Sequence, residues 1–180
     1  MSASNFESSL SLVLKDEGGY VNDARDPGGA TNLGITQRTY DLYRRGIGKP
    51  VQDVRQISQD EVESIYRRGY WNACRCDELP AGLDYTVFDA AVNSGPAQAA
   101  KWLQRIAGAI VDGKIGPQTL ASVARLNVPQ TIDAFCLERI EFLKTVRHKK
   151  TGALLWTTYG KGWQRRVSDV RTNAKAMVAR

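Results

Sequence analysis

Residues 15–36 read Lys15-Asp16-Glu17-Gly18-Gly19-Tyr20-Val21-Asn22-Asp23-Ala24-Arg25-Asp26-Pro27-Gly28-Gly29-Ala30-Thr31-Asn32-Leu33-Gly34-Ile35-Thr36. This stretch decides the fold. Upstream, Phe6, Leu10, Val13 and Leu14 recur at helical spacing, which predicts an amphipathic helix over 3–17 capped by Ser2 or Ser4. Glu17 is the next position on that apolar face. Gly18-Gly19 stops the helix, since glycine readily takes the left-handed C-cap conformation. Glu17 is therefore expected at a helix C-terminus, partly withdrawn from water and beside the negative end of the helix dipole. That is a setting for a proton donor. Downstream, Tyr20-Val21-Asn22 and Leu33-Gly34-Ile35 read as short strands flanking an Asp26-Pro27-Gly28-Gly29 turn. They predict a small hairpin or three-stranded sheet near the N-terminus.

Working outward, the rest of the chain is helical in pattern. Thr36 caps a helix over 37–45. Ser58 and Glu61 form a capping box, and the helix after it puts Val62, Ile65, Tyr66 and Gly69 on one side, followed by Tyr70-Trp71. Pro80 opens a helix whose Leu83, Val87, Phe88, Ala91 and Val92 give it a broadly apolar surface, so it is expected at the centre of the core. Asn93-Ser94-Gly95-Pro96 closes that helix. Further helices are predicted over 97–107, 117–126 and from Pro129 onward, and a last one from near Gly162 with an apolar stripe of Trp163, Val167, Val170, Ala174 and Met177. The class is α+β, mostly α-helical. The one candidate boundary, near residues 93–96, divides a region 1–92 from a helical region 93–180, the two packed as one compact unit.

The 180 residues suffice for one domain with a full core or two small ones. Hydrophobic residues make up 42% and charged ones 24%, ordinary for a globular protein, and no apolar run is long enough to span a bilayer. The N-terminus lacks the basic-then-apolar pattern of a secretory leader. Three cysteines, Cys74, Cys76 and Cys136, with one histidine, His148, make a poor metal-site pattern. Reduced thiols are expected, with no metal and no cofactor. The net charge of +6 suits a polyanionic partner: nucleic acid, anionic membrane or anionic cell-wall polymer.

Glu17 is followed nine positions later by Asp26, with Thr31 and Asn32 beyond it. A helix-end acid, a second carboxylate on a turn and a hydroxyl or amide further on form a set suited to glycoside hydrolysis. One carboxyl protonates the leaving oxygen and the other holds or activates water, about 6.5–9.5 Å away in inverting enzymes. Residues 16–36 resemble the signature of the glycosyl hydrolase 108 family, lysozyme-like N-acetylmuramidases found as phage endolysins and secretion-associated wall hydrolases. Tyr70-Trp71 and Phe88-Asp89-Ala90-Ala91-Val92-Asn93-Ser94-Gly95 are similar to its next landmarks. Trp102-Leu103-Gln104 followed by Asp112-Gly113-x-x-Gly116-Pro117-x-Thr119-Leu120 resembles the peptidoglycan-binding region that accompanies the family. The resemblance covers roughly residues 5–178. It implies a lysozyme-like fold, Glu17 as catalytic acid, and the β-1,4 bond between N-acetylmuramic acid and N-acetylglucosamine as target. It also implies a protein made in the cytoplasm that reaches the wall through a holin-like pore, as an endolysin does, or by another export route. The spacing from Glu17 to Asp26 to Thr31 or Asn32 resembles the Glu/Asp/Thr triad of phage-type lysozymes. Asn32 fills the third position, and Thr31 stands one residue before it.

Each candidate has a purely structural counterpart. Asp26 precedes a proline in a turn, where Asp is common for local reasons. Thr31 and Asn32 can serve the hairpin backbone. Among aromatics, Tyr20 is assigned to the cleft and Tyr70 to sugar contact, whereas Trp71 is assigned to the core. Asn93 binds an N-acetyl group or caps its own helix. Asp112 belongs to a turn first and to a ligand second. The expected activity is that of a monomeric peptidoglycan hydrolase, with water positioned by Asp26 or by Thr31/Asn32. The alternatives are a lytic transglycosylase using Glu17 alone and a catalytically weak wall-binding module. A nucleic-acid binder rests on charge alone, with no recognition motif.

Overall fold

The computed structural model describes residues 5–22 and 29–179. Asp23, Asp26 and most of the Asp26-Pro27-Gly28-Gly29 turn lie outside them. The chain divides into two compact units, one over Phe6–Gly69 and the other over Tyr70–Arg180 together with Asn5.

In the first unit, α1 (Phe6–Glu17) buries Phe6, Ser9, Leu10 and Val13, the stripe its spacing predicts. Two strands follow, β1 (Thr31–Asn32) and β2 (Ile35–Thr36), antiparallel, with Thr31 opposite Thr36 and Asn32 opposite Ile35. A single bridge from Val21 to Thr31 extends this sheet. Leu33-Gly34 is the tight turn between the strands, where a strand was expected. Both residues have positive φ, 51° and 74°, as a two-residue type I′ hairpin requires. Gly34 adopts this freely; Leu33 does so at a cost of about 1–2 kcal/mol, and its apolar side chain, uncommon in such a turn, is what reads as strand.

Thr36 caps α2 (Gln37–Gly46) by accepting from the Thr39 backbone N–H. Ser58 and Glu61 form the full capping box at the start of α3 (Gln59–Tyr66). Glu61 also binds across the unit. Tyr40 donates to it at 2.6 Å and Arg44 at 2.7 Å. Burial pushes the Glu61 carboxyl up, but the Tyr40, Ser58 and Arg44 donors outweigh it and hold it below its ordinary value.

The second unit is helical. α4 (Leu83–Ser94) buries Leu83 through Ala91 without a break and packs against α5 (Pro96–Ile106), α7 (Val128–Thr145) and α8 (Trp156–Val178). The shorter α6 (Pro117–Val123) follows the Asp112-Gly113 turn. α4 begins at Leu83 and not at Pro80, because Gly82 (φ 83°) lies against the Ala174 backbone carbonyl of α8, where no side chain fits. Trp71 is fully buried and edge-on to Phe88. Trp102 meets Phe135 and Phe142 edge-on, contacts worth about 0.5–1.5 kcal/mol each. All three cysteines are buried thiols.

α8 starts at Trp156, more than a turn before the expected Gly162. Gly160 and Gly162 disguise this first part, since each glycine costs a helix about 1 kcal/mol relative to alanine.

Candidate active site

Glu17 is the last residue of α1 and is half-buried. Gly18 (φ 73°) turns the chain off the helix, and the β1–β2 hairpin returns its turn to the end of α1. A Cβ added to Gly34 would lie 2.5 Å from the Tyr66 Oη, 3.0 Å from the Glu17 Oε2 and 3.1 Å from the Glu17 Cγ. The Glu17 carboxylate, the Tyr66 hydroxyl and the Gly34 backbone therefore converge on one point. Tyr66 is 1% exposed, and its hydroxyl donates to the Leu33 carbonyl at 2.8 Å. This fixes the turn against the acid. Sequence periodicity marked Tyr66 only as one of several inward residues of α3. The signal for its contact was Gly34, a glycine that a tight approach demands.

Thr31 and Asn32 separate by register. Successive strand residues face opposite sides. Asn32 pairs with buried Ile35, and its amide donates to the Val54 carbonyl at 3.2 Å. Thr31 shares the other face with Thr36, while its backbone exchanges two 2.8 Å hydrogen bonds with Val21. Gln37 completes the brace: its side-chain carbonyl accepts from the Val54 N–H at 2.8 Å, and its amide donates to the Gln52 carbonyl and to Asp41, each at 2.7 Å. Asp26 lies outside the described residues.

Tyr20 is 38% exposed, with the Arg55 guanidinium 5.0 Å from its ring centroid. Asp53 holds that guanidinium in turn, with an N–O distance of 3.0 Å. The ring is thus oriented by a cation on one face, a role for Arg55 that the sequence did not signal.

In the second unit, Tyr70 is half-buried, and its carbonyl accepts from the Cys74 N–H at 3.0 Å. Asn93 is half-buried near the end of α4; its Oδ1 accepts from the Arg139 guanidinium and from the Ser94 hydroxyl, both at 3.2 Å. These donors fix the amide, leaving its nitrogen as the group's remaining donor. Arg139 also binds Asp89 at 2.6 Å, and Arg166 binds the other Asp89 oxygen at 2.9 Å. Asp89 is fully buried. Burial pushes its carboxyl up, but the two guanidiniums override this and hold it below its ordinary value.

Asp112 is exposed and turn-bound. Gln104, itself 1% exposed, donates to it at 2.7 Å, as does the Lys114 N–H at 2.8 Å. The Gln104 donor and the Lys114 backbone hold its carboxyl below its ordinary value. The residue edges a cleft of about 160 Å³ also lined by Ile110, Lys114 and Gln118.

The model of the family named glycosyl hydrolase 108 matches residues 10–95, and one described as a predicted peptidoglycan domain matches residues 98–168. Among solved structures, one titled "Structure of Brucella abortus SagA" is similar, at 40% identity and a TM-score of 0.80, covering 97% of this chain and 95% of that one. A search of curated proteins returns no match.

Proposed function

The chain belongs to the glycosyl hydrolase 108 family and is a lysozyme-like peptidoglycan hydrolase, and on that premise we propose that it is an N-acetylmuramidase whose general acid is Glu17. The observation that carries this reading is the convergence of the Glu17 carboxylate with the Gly34 backbone and the Tyr66 hydroxyl at the end of α1. A helix end, a tight turn and a buried tyrosine hold the carboxyl in position, and such positioning is what proton transfer at a fixed substrate oxygen requires.

In the reaction, the Glu17 O–H gives its proton to the glycosidic oxygen as the bond from that oxygen to the muramic acid C1 breaks. Positive charge spreads over C1 and the ring oxygen. Water adds at C1 and loses its proton to Asp26, the second carboxylate of the pair. Thr31 positions that water in preference to Asn32, whose amide is committed to the Val54 carbonyl. Tyr20 supplies a sugar-facing ring, and the remaining donor of Asn93 suits an N-acetyl carbonyl.

Purified sacculi test the assignment. Wild type clears a turbid suspension, and mass spectrometry of the products shows muramic acid reducing ends that have gained water. Glu17→Gln lowers the clearing rate roughly 10²–10⁴-fold, the span attributed to general acid catalysis, while still sedimenting with the walls. Clearing by Glu17→Gln at the wild-type rate would remove Glu17 from the mechanism. Anhydro ends in the wild-type digest would replace hydrolysis with transglycosylation.

A further inference from the structure

The four tryptophans divide into two pairs. Trp71 and Trp102 are fully buried. Trp156 and Trp163 are half-buried on the first two turns of α8, with Tyr159 between them 53% exposed. Spacings of three, four and seven put these rings on one helix face. The Trp156 and Trp163 centroids are 6.3 Å apart, and those of Tyr159 and Trp163 are 5.7 Å apart with their planes 32° from parallel. Gly160 explains how they fit: a Cβ there would stand 2.8 Å from the Trp156 Cδ2 and Cε2. The glycine lets the indole lie down across the helix. Gly162, by contrast, meets nothing within 4 Å.

The face is not arbitrary. It is the one that Val167, Val170 and Ala174 bury further along α8, so the core-facing side of the helix runs on into a strip of partly uncovered rings. One turn beyond Trp163, Arg166 binds Asp89 of α4, and Asn93 follows Asp89 by one turn. The strip thus runs along α8 toward the helix that bears the candidate N-acetyl donor. Residues 144–167 contain seven Lys or Arg and no Asp or Glu; with Lys144 held by Glu141 and Arg166 by Asp89, the other five still favour an anionic ligand.

We infer that Trp156, Tyr159 and Trp163 form a stacking platform for the sugar rings of a peptidoglycan glycan strand. The inference rests on the reading of peptidoglycan as substrate and names where the strand lies on the second unit. Aromatic rings with apolar faces and polar edges suit a pyranose, whose C–H face is apolar and whose rim carries hydroxyls. The surrounding cations suit the free carboxylates of stem peptides, and of lactyl groups that carry no peptide.

The test uses the full chain carrying Glu17→Gln. Cosedimentation with purified sacculi is compared for this protein and for versions that add Tyr159→Ala or Tyr159→Phe. Because Tyr159 is exposed, its replacement leaves the core untouched. The expected result is an affinity about tenfold weaker for Tyr159→Ala and little changed for Tyr159→Phe. Soluble, uncross-linked glycan strands should also shift the tryptophan emission to shorter wavelength, a signal assigned to Trp156 and Trp163 because the other two indoles are already dry. Equal binding by the Ala and Phe variants, or no emission shift at saturating glycan, overturns the platform. So does a Tyr159→Ala loss seen with anionic phospholipid vesicles or single-stranded DNA but not with sacculi. Product release by wild type is scored separately. Walls that stay intact while Tyr159→Ala loses binding would refute the muramidase reading and leave the platform standing, and cleavage with unaltered Tyr159→Ala binding would do the reverse.

Discussion

Glu17 and Gly34 are seventeen positions apart in the sequence, yet each determines what the other can be. Glu17 ends α1 because Gly18-Gly19 cannot continue it, and Gly34 must lack a side chain because the Glu17 carboxylate and the Tyr66 hydroxyl occupy the space. Gly34→Ala therefore combines two penalties. An alanine at φ 74° costs about 1–2 kcal/mol of backbone strain, and its methyl displaces either the tyrosine or the acid. The expected outcome is a melting temperature lower by several degrees and a clearing rate on sacculi that falls much further than the stability loss explains, because a misplaced acid loses far more than a weakened fold. Thermal unfolding and turbidity measured on the same preparation check this. An enzyme that melts early but, below its transition, clears walls at the wild-type rate would show that Gly34 serves the turn alone.

At the level of elements, the β1–β2 hairpin does two jobs with adjacent residues. Asn32 ties it down through the Val54 carbonyl, and Thr31 presents its side chain on the opposite face. Asn32→Ala should cost about 0.5–1.5 kcal/mol, the usual value of a net hydrogen bond. Thr31→Val should leave the midpoint of urea unfolding in place, since the backbone bonds to Val21 persist, yet lower the rate of clearing. The opposite pattern, with Asn32→Ala slow but stable, would transfer the water-positioning role to Asn32. The sequence revealed what is local in this arrangement. Thr36 and Ser58 cap their helices as their spacing predicts, because capping needs only three or four consecutive residues. It concealed what depends on a partner elsewhere. Leu33 reads as strand and is a turn, its positive φ held by the Tyr66 bond to its own carbonyl. The first turns of α8 read as loop because Gly160 and Gly162 weaken the helical pattern, and only the packed Trp156 ring shows why residue 160 is a glycine.

Across the whole molecule, the α+β class and the central α4 were legible, since nine consecutive buried residues leave a plain hydrophobic record. The charges inside that core were not. Asp89 sits in an apolar run, and its partners Arg139 and Arg166 are 50 and 77 positions away; no spacing rule links them. These two guanidiniums make Asp89 the group on which the acid tolerance of the second unit turns. Its folded-state carboxyl titrates below the unfolded value of about 3.9. Its stabilisation is therefore fully present above that value and is lost as pH falls through the folded-state value. Asp84 works in the opposite direction: burial raises its carboxyl despite the Asn5 donor, so its contribution is complete below the unfolded value and diminishes as pH rises through the folded one. Near-UV circular dichroism, which reads the packed Trp71 and Trp102, is therefore expected to report a melting temperature that rises slightly from neutral pH downward as Asp84 takes up its proton and then drops below about pH 4, where Asp89 loses its charge. Asp89→Asn leaves two arginines facing a neutral amide in a dry site. It should cost about 3–5 kcal/mol, as removal of one partner from a buried pair does, and should flatten the acid limb because the titrating group is gone. A variant that melts near the wild-type temperature and keeps the same acid limb would show that the acid sensitivity arises elsewhere, with Asp133 and its partners Arg171 and Lys175 the next group to substitute.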